Sequence, residues 1–196
     1  MRFIRFPIAR RRSAANSTAR GINSGAIALL IVAGTCFGSA APAQSPAVIW
    51  HSAVVSGTPE EVWAIIGSFC AIERWLPPVA TCSEDGGFPP TRILATRDGT
   101  ATFVERQTDR NDTEHYYSYV FVSSPLPVTH YSSTIRVTAN GHGESTVIWN
   151  GTYTPDTGKE KEAAAALDGI YASGLESIQR IAEHQAAPVA SNRAAP

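Results

Sequence analysis

Two side chains of opposite charge, Arg92 and Glu105, stand in stretches rich in aromatic and β-branched residues, with the turn signal Asp98-Gly99 between them. Alternation over residues 101–107 puts Ala101, Phe103, Glu105 and Gln107 on one strand face and Thr102, Val104 and Arg106 on the other. If the face holding Phe103 is inward, the carboxylate must take up a proton or find a cation, and Arg92 is the natural partner. Such a pair has three uses. Glu105 could move a proton on a bound carbonyl compound while Arg92 holds an oxyanion. The pair could instead orient the polar end of a ligand, or serve as a structural ion pair that fixes strand register. The residues leave all three open.

Around this pair the chain is rich in rings: Trp75, Tyr117, Tyr119, Phe121, Tyr131, Trp149 and Tyr153. They offer stacking surfaces and hydroxyls to a ring-bearing or lipid-like ligand, and would serve equally as core. The expected ligand-binding residues are Trp75, Phe103, Tyr117, Tyr119, Tyr131 and Trp149, with Ile170 and Gly174 from the last helix. The histidines at 51, 115, 130, 142 and 184 lack metal-ligand spacing, so no metal is expected. There is no Gly-x-Ser-x-Gly elbow, and Gly141-His142-Gly143 reads as a hairpin turn rather than a dinucleotide loop. No cofactor is expected.

The elements that must position these residues are mostly strands. Runs at 48–55, 79–84, 92–96, 102–109, 115–123, 132–139 and 145–154 are separated by turn formers, which predicts an antiparallel meander of about seven strands. Thr58, Pro59 and Glu61 form a helix start with a capping box, followed by the apolar stripe Val62, Trp63, Ile65, Ile66 and Phe69. A second short helix, near 70–74, ends before Pro77-Pro78. The prolines of Ser124-Pro125-Leu126-Pro127-Val128 predict a stiff flap, and the mouth of any cavity is expected there. From Glu160 to His184, Leu167, Ile170, Gly174, Leu175, Ile178, Ile181 and Ala182 make one helical face, and the sheet is expected to curl around it. Gly169, Ala172 and Gly174 would either leave room for a ligand or let helix and sheet approach closely.

The first 43 residues read as a signal peptide, with six arginines and no acid over 1–20, an apolar run at 26–37, and Ala41-Pro42-Ala43 as the cleavage site. A lipoprotein signal at Cys36 fits less well, and Sec and Tat export remain alternatives. Cleavage after Ala43 leaves a domain at 44–186, an Ala/Pro/Ser-rich disordered tail at 187–196, and a formal charge of −7. That charge argues against nucleic acid as a partner, and no stable membrane insertion is expected after cleavage. The expected location is periplasmic or secreted, where Cys70 and Cys82 favour a disulfide over two buried thiols.

The ordered set Pro59-Glu60-Glu61-Val62-Trp63, Trp75-Leu76-Pro77, Val104-Glu105-Arg106, Tyr117-Ser118-Tyr119, Pro125-Leu126-Pro127-Val128, Trp149 and Gly169-Ile170-Tyr171 resembles the START-like, Bet v 1-like superfamily. Within it, the chain looks like the bacterial polyketide cyclase/dehydrase-type branch of SRPBCC proteins. The resemblance implies an α+β helix-grip fold, in which a curved antiparallel sheet wraps a long C-terminal helix and encloses a hydrophobic cavity. Arg92 and Glu105 occupy positions similar to an arginine and a glutamate that serve in the cavity of the related plant lachrymatory-factor synthases. This implies catalytic roles for both if the protein is a cyclase, dehydratase or isomerase. The first expectation is an exported carrier or sensor of a small hydrophobic or amphipathic ligand. Similarity to a methanol-oxidation accessory protein of the superfamily also admits a periplasmic enzyme partner.

Overall fold

Thr58 begins the first helix by the reciprocal pair its sequence announces: its hydroxyl accepts from the Glu61 N–H at 3.3 Å while the Glu61 carboxylate accepts from the Thr58 N–H at 2.8 Å. The computed structural model describes residues 44–191, so the expected signal peptide at 1–43 lies outside the described residues. Strand β1 (Ala47–Ser56) leads into helix α1 (Pro59–Ile66), a 3-10 turn at Phe69–Ala71 and helix α2 (Ile72–Trp75). Strands β2 (Val79–Glu84), β3 (Thr91–Thr96), β4 (Thr102–Asn111), β5 (Tyr116–Ser123), β6 (Val128–Gly141) and β7 (Glu144–Pro155) follow, and helix α3 (Glu160–Ser191) closes the order. The helix runs past the predicted start of the tail. Residues 187–191 are assigned to it, and residues 192–196 of the expected tail lie outside the described residues.

All strand pairs are antiparallel, in the spatial order β1-β7-β6-β5-β4-β3-β2. This is the expected seven-stranded helix-grip architecture, with α3 packed on the concave face. β6 starts four residues before the predicted strand, at Val128, because a bulge between Thr129 and Ser132 with His130 at a positive φ of 52° absorbs the irregular stretch. In the β6–β7 hairpin, His142 and Gly143 both take positive φ (55° and 78°) and bridge the Gly141–Glu144 pair. That is the two-residue turn whose twist suits a hairpin.

The core lies between the sheet and α3. Leu167, Tyr171, Leu175 and Ile178 face it from the helix, and Ile135, Val137, Val147 and Trp149 from β6 and β7. Cys70 and Cys82 form a disulfide with Cα atoms 5.4 Å apart, joining the 3-10 turn to β2. Glu73 braces the same corner by accepting from the Cys82 N–H at 2.9 Å.

Gly174 decides between the two uses of small residues on α3. A Cβ there would lie 2.8 Å from Trp149 Cζ3, 3.1 Å from Leu76 Cδ1 and 3.3 Å from Trp75 Cζ3. Its space is filled by indoles rather than kept for a ligand, and Gly169 faces solvent. Replacing Gly174 by alanine gains up to about 1 kcal/mol of helix propensity, but overpacking against two buried rings costs about 1–3 kcal/mol. Gly174→Ala is therefore expected to lower the urea midpoint, although alanine is the better helix former. An unchanged or raised midpoint would mean that the rings yield.

Candidate functional site: a cavity walled by a buried ion pair

The β3–β4 hairpin turns at Asp98-Gly99 and sets Arg92 directly opposite Glu105. Both are buried, at 0% and 4% exposure. Arg92 Nε donates to Glu105 Oε2 at 2.6 Å, and Nη2 lies 2.6 Å from the same oxygen without the angle of a hydrogen bond. Nη1 donates to the Phe69 carbonyl, and the guanidinium carbon sits 4.0 Å from the Phe69 ring centroid and 5.0 Å from that of Tyr119. These faces offer the cation a partial replacement for water.

Burial pushes the Glu105 carboxyl above the ordinary carboxylate range, and the Arg92 charge offsets this only in part. Burial is the largest influence on Arg92 and works against its charge, but Glu105 together with Tyr117 and Tyr119 outweighs it and keeps the guanidinium protonated. The two directions pull apart, since a raised arginine describes a firm ion pair and a raised glutamate a weakened one. The close contact and a guanidinium that does not give up its proton in proteins decide for the ion pair.

A cavity of about 400 Å³ opens beside this pair. Glu105 is on its wall, and Arg92, sealed behind the carboxylate and the rings, is not. Phe103, Tyr119, Tyr131, Trp149 and Ile170 line it, as the sequence suggests. Three expected lining residues do not. Trp75 packs edge-on against Trp149 at 5.4 Å, Tyr117 lies under Phe69 at 5.6 Å, and Gly174 is covered by the indoles. Alternation selects the inward face correctly for Tyr117, but that residue stands further along β5, near α1, where Trp63 and Phe69 fill the space.

Other walls come from apolar residues with no chemical signature in sequence. Ile72 and Leu76 belong to α2 and its exit, Leu94 to β3, Leu167 to α3, and Phe121 stacks on Tyr131 at 3.8 Å. Pro78, Asp98, Thr100 and Pro125 are lining residues exposed to solvent, so they mark the mouth, and Pro125 and Leu126 bring the proline segment to it. Asp98 is held there by Thr96 Oγ1 at 2.5 Å and by the Thr100 N–H at 3.0 Å, bonds that lower its carboxyl to about 2.

Four hydroxyls and one indole form a connected set that meets the cavity at Tyr119, Tyr131 and Trp149 and continues behind its wall to Ser133 and Tyr171. Ser133 Oγ contacts Tyr171 at 2.8 Å and receives Trp149 Nε1 at 3.0 Å. Tyr171 contacts Tyr131 at 2.8 Å, and Tyr131 reaches Tyr119 at 3.4 Å. Trp149 also stacks on Tyr171 at 4.1 Å. Burial drives the phenol of Tyr171 up to about 12 and those of Tyr119 and Tyr131 well above their ordinary value, so all three are neutral donors. Tyr171 was not among the expected site residues, yet it falls one turn from both Leu167 and Leu175 on the buried helix face. A stripe defined by apolar residues alone passes over a tyrosine in the same register.

The polyketide cyclase / dehydrase and lipid transport family model matches residues 47–183, nearly all of the described chain. The chain belongs to that family. Among solved structures, the chain is similar to the protein XoxI from Bacillus cereus, with 38% identity, a TM-score of 0.65, and coverage of 69% of this chain and 95% of that one. The Zhui aromatase/cyclase from Streptomyces sp. R1128 matches at 16% identity and a TM-score of 0.60, covering 72% of this chain and 96% of that one. Norcoclaurine synthase from Thalictrum flavum, in complex with dopamine and hydroxybenzaldehyde, matches at 16% identity and a TM-score of 0.58, covering 71% and 87%. At such identity the last two share the fold alone. No curated protein matches the chain at a significant level.

The ion pair can be tested apart from any ligand. Arg92→Met strands a buried carboxylate and is expected to cost about 3–5 kcal/mol, whereas the double change Arg92→Met with Glu105→Leu should recover most of that loss. Chemical denaturation of the three proteins checks this, and a double variant no more stable than Arg92→Met would refute mutual compensation.

Proposed function

We propose that the protein is an exported carrier or sensor that takes a small hydrophobic or amphipathic molecule into the cavity between sheet and α3. The observation that carries this reading is the cavity itself. Its volume of about 400 Å³ lies in the range of small-molecule sites, and its lining combines aromatic faces with a few convergent polar atoms. Export is supported by the arginine-rich leader with its apolar run and by the Cys70–Cys82 disulfide, a bond that persists in oxidising compartments. Among the described residues no helix is long and apolar enough to cross a membrane.

Native mass spectrometry of freshly purified protein is expected to show a bound species that organic extraction removes. The emptied protein should then take up the neutral dye Nile red, with a change in tryptophan fluorescence. Absence of both a co-purifying species and dye uptake would end the carrier reading.

A second reading, an acid–base enzyme of the cyclase, dehydratase or isomerase kind, is favoured by one observation. Glu105 stands on the cavity wall with its carboxyl pushed above the ordinary carboxylate range by burial, a direction that suits a general acid–base group. Arg92 does not reach the cavity, so the donor to an oxyanion would be the Tyr119 hydroxyl instead. On this reading the extracted compound changes chemically on incubation with the protein. Glu105→Gln should abolish that change while binding survives in a variant with native near-UV circular dichroism. A compound returned unaltered by the unmodified protein would leave the carrier reading alone.

A further inference from the structure

The hydroxyl set that meets the cavity has a fixed direction, which follows from counting protons. Ser133 Oγ donates its one hydrogen to the Asn150 carbonyl at 2.8 Å, so in its contact with Tyr171 it must accept. Tyr171 has then used its hydrogen, and Tyr131 must donate to Tyr171. Tyr119 comes last. Its oxygen accepts from Trp149 Nε1 at 3.2 Å, and the acceptor facing its own hydrogen is Tyr131 at 3.4 Å, beyond the ordinary range for O–H···O bonds. Tyr119 is 2% exposed and lines the cavity. Its hydrogen therefore has only this long contact, and a closer acceptor held in the cavity would take it.

Glu105 supplies the opposite half. Both guanidinium contacts fall on Oε2, and among the described residues no donor reaches Oε1. The charged side chains on the lining are Glu105 inside and Asp98 at the mouth, both carboxylates. Arg92 is shut away from the cavity, and Arg97, beside the mouth in sequence, is off the lining with Nε bonded to the Pro77 carbonyl at 2.8 Å. An anionic ligand would therefore enter past the Asp98 carboxylate and lose its hydration beside a wall that offers it no unpaired cation. A ligand cation gains little at the base, because Arg92 already neutralises Glu105.

We infer that the cavity selects by charge: it takes an uncharged ring compound that offers a hydroxyl to Glu105 Oε1 and an acceptor oxygen to the Tyr119 hydroxyl, and it refuses carboxylates. This rests on the small-molecule reading above and narrows it. Fatty acids and other acids of suitable size are excluded although their apolar parts would fit.

The test uses the extracted full-length protein and two probes of nearly equal shape, 6-hydroxy-2-acetylnaphthalene and 6-hydroxy-2-naphthoic acid. Calorimetry at about pH 6.5, where the acid is ionised, is expected to show the ketone binding at least about tenfold more tightly, the equivalent of one lost charge-matched contact. Tyr119→Phe should weaken the ketone by roughly 2- to 12-fold, the worth of one hydrogen bond, in a variant whose near-UV circular dichroism is native. The variant is expected to fold, because Trp149 Nε1 keeps Ser133 as its acceptor. Equal or tighter binding of the acid overturns the inference, as does a Tyr119→Phe protein that holds the ketone as well as the parent. Nile red uptake without binding of either naphthalene overturns it too, while leaving the cavity reading intact. Failure of all three compounds overturns both.

Discussion

A full ion pair sealed inside an apolar sheet face constrains everything around it. Removing two charges from water costs several kcal/mol per ion, and only close contact with further partners offsets that. Arg92 meets the demand with Glu105 across the β3–β4 ladder, the Phe69 carbonyl from the 3-10 turn, and the faces of Phe69 and Tyr119. A one-residue slip of β3 against β4 would turn one charge outward and strand the other, so the pair pins register as firmly as any apolar contact. The disulfide at Cys70 fastens the turn that carries Phe69, and with it the guanidinium's backbone acceptor.

The pair also separates structural work from chemical work. Arg92 is consumed by the scaffold, and its charge is spent on holding Glu105. What is left to the cavity wall is Glu105, with one oxygen free of the guanidinium, and Tyr119, the last hydroxyl of a directed chain. An apolar space with one acceptor and one donor is a more selective object than a greasy hollow, because a guest that leaves either group unpaired forfeits the cost of its desolvation. Gly174 lets Trp149 sit close to α3, and Trp75 packs edge-on against it.

Family membership fits this division of labour without naming a reaction. The shared fold supplies a curved sheet, a long helix and the gap between them, and unrelated chemistries can be built on such a frame. Here the residues that border the gap differ in kind: those from α2 and α3 are plain aliphatics, while the strands bring polar atoms, Thr96 from β3, Glu105 from β4, Tyr119 from β5, Tyr131 from β6 and the Trp149 indole from β7. The polar wall is therefore a product of the sheet, and the helical wall only excludes water.

The amino-acid order alone determined the elements, because turn formers, a capping box and two distinct periodicities are local properties. It placed Phe103, Glu105, Tyr119, Tyr131, Trp149 and Ile170 toward the interior, since strand alternation and helix spacing fix which face a side chain occupies. It could not tell the cavity from the core. Trp75, Tyr117 and Gly174 share those inward faces and pack solidly, Arg92 is inward yet sealed, and Tyr171 belongs to the hydroxyl chain though its stripe looked purely apolar. Depth along a face depends on how far the sheet bends away from α3 at each point, and that distance is set by side chains far apart in sequence meeting one another. Only the folded arrangement decided which inward residues touch each other and which were left facing space.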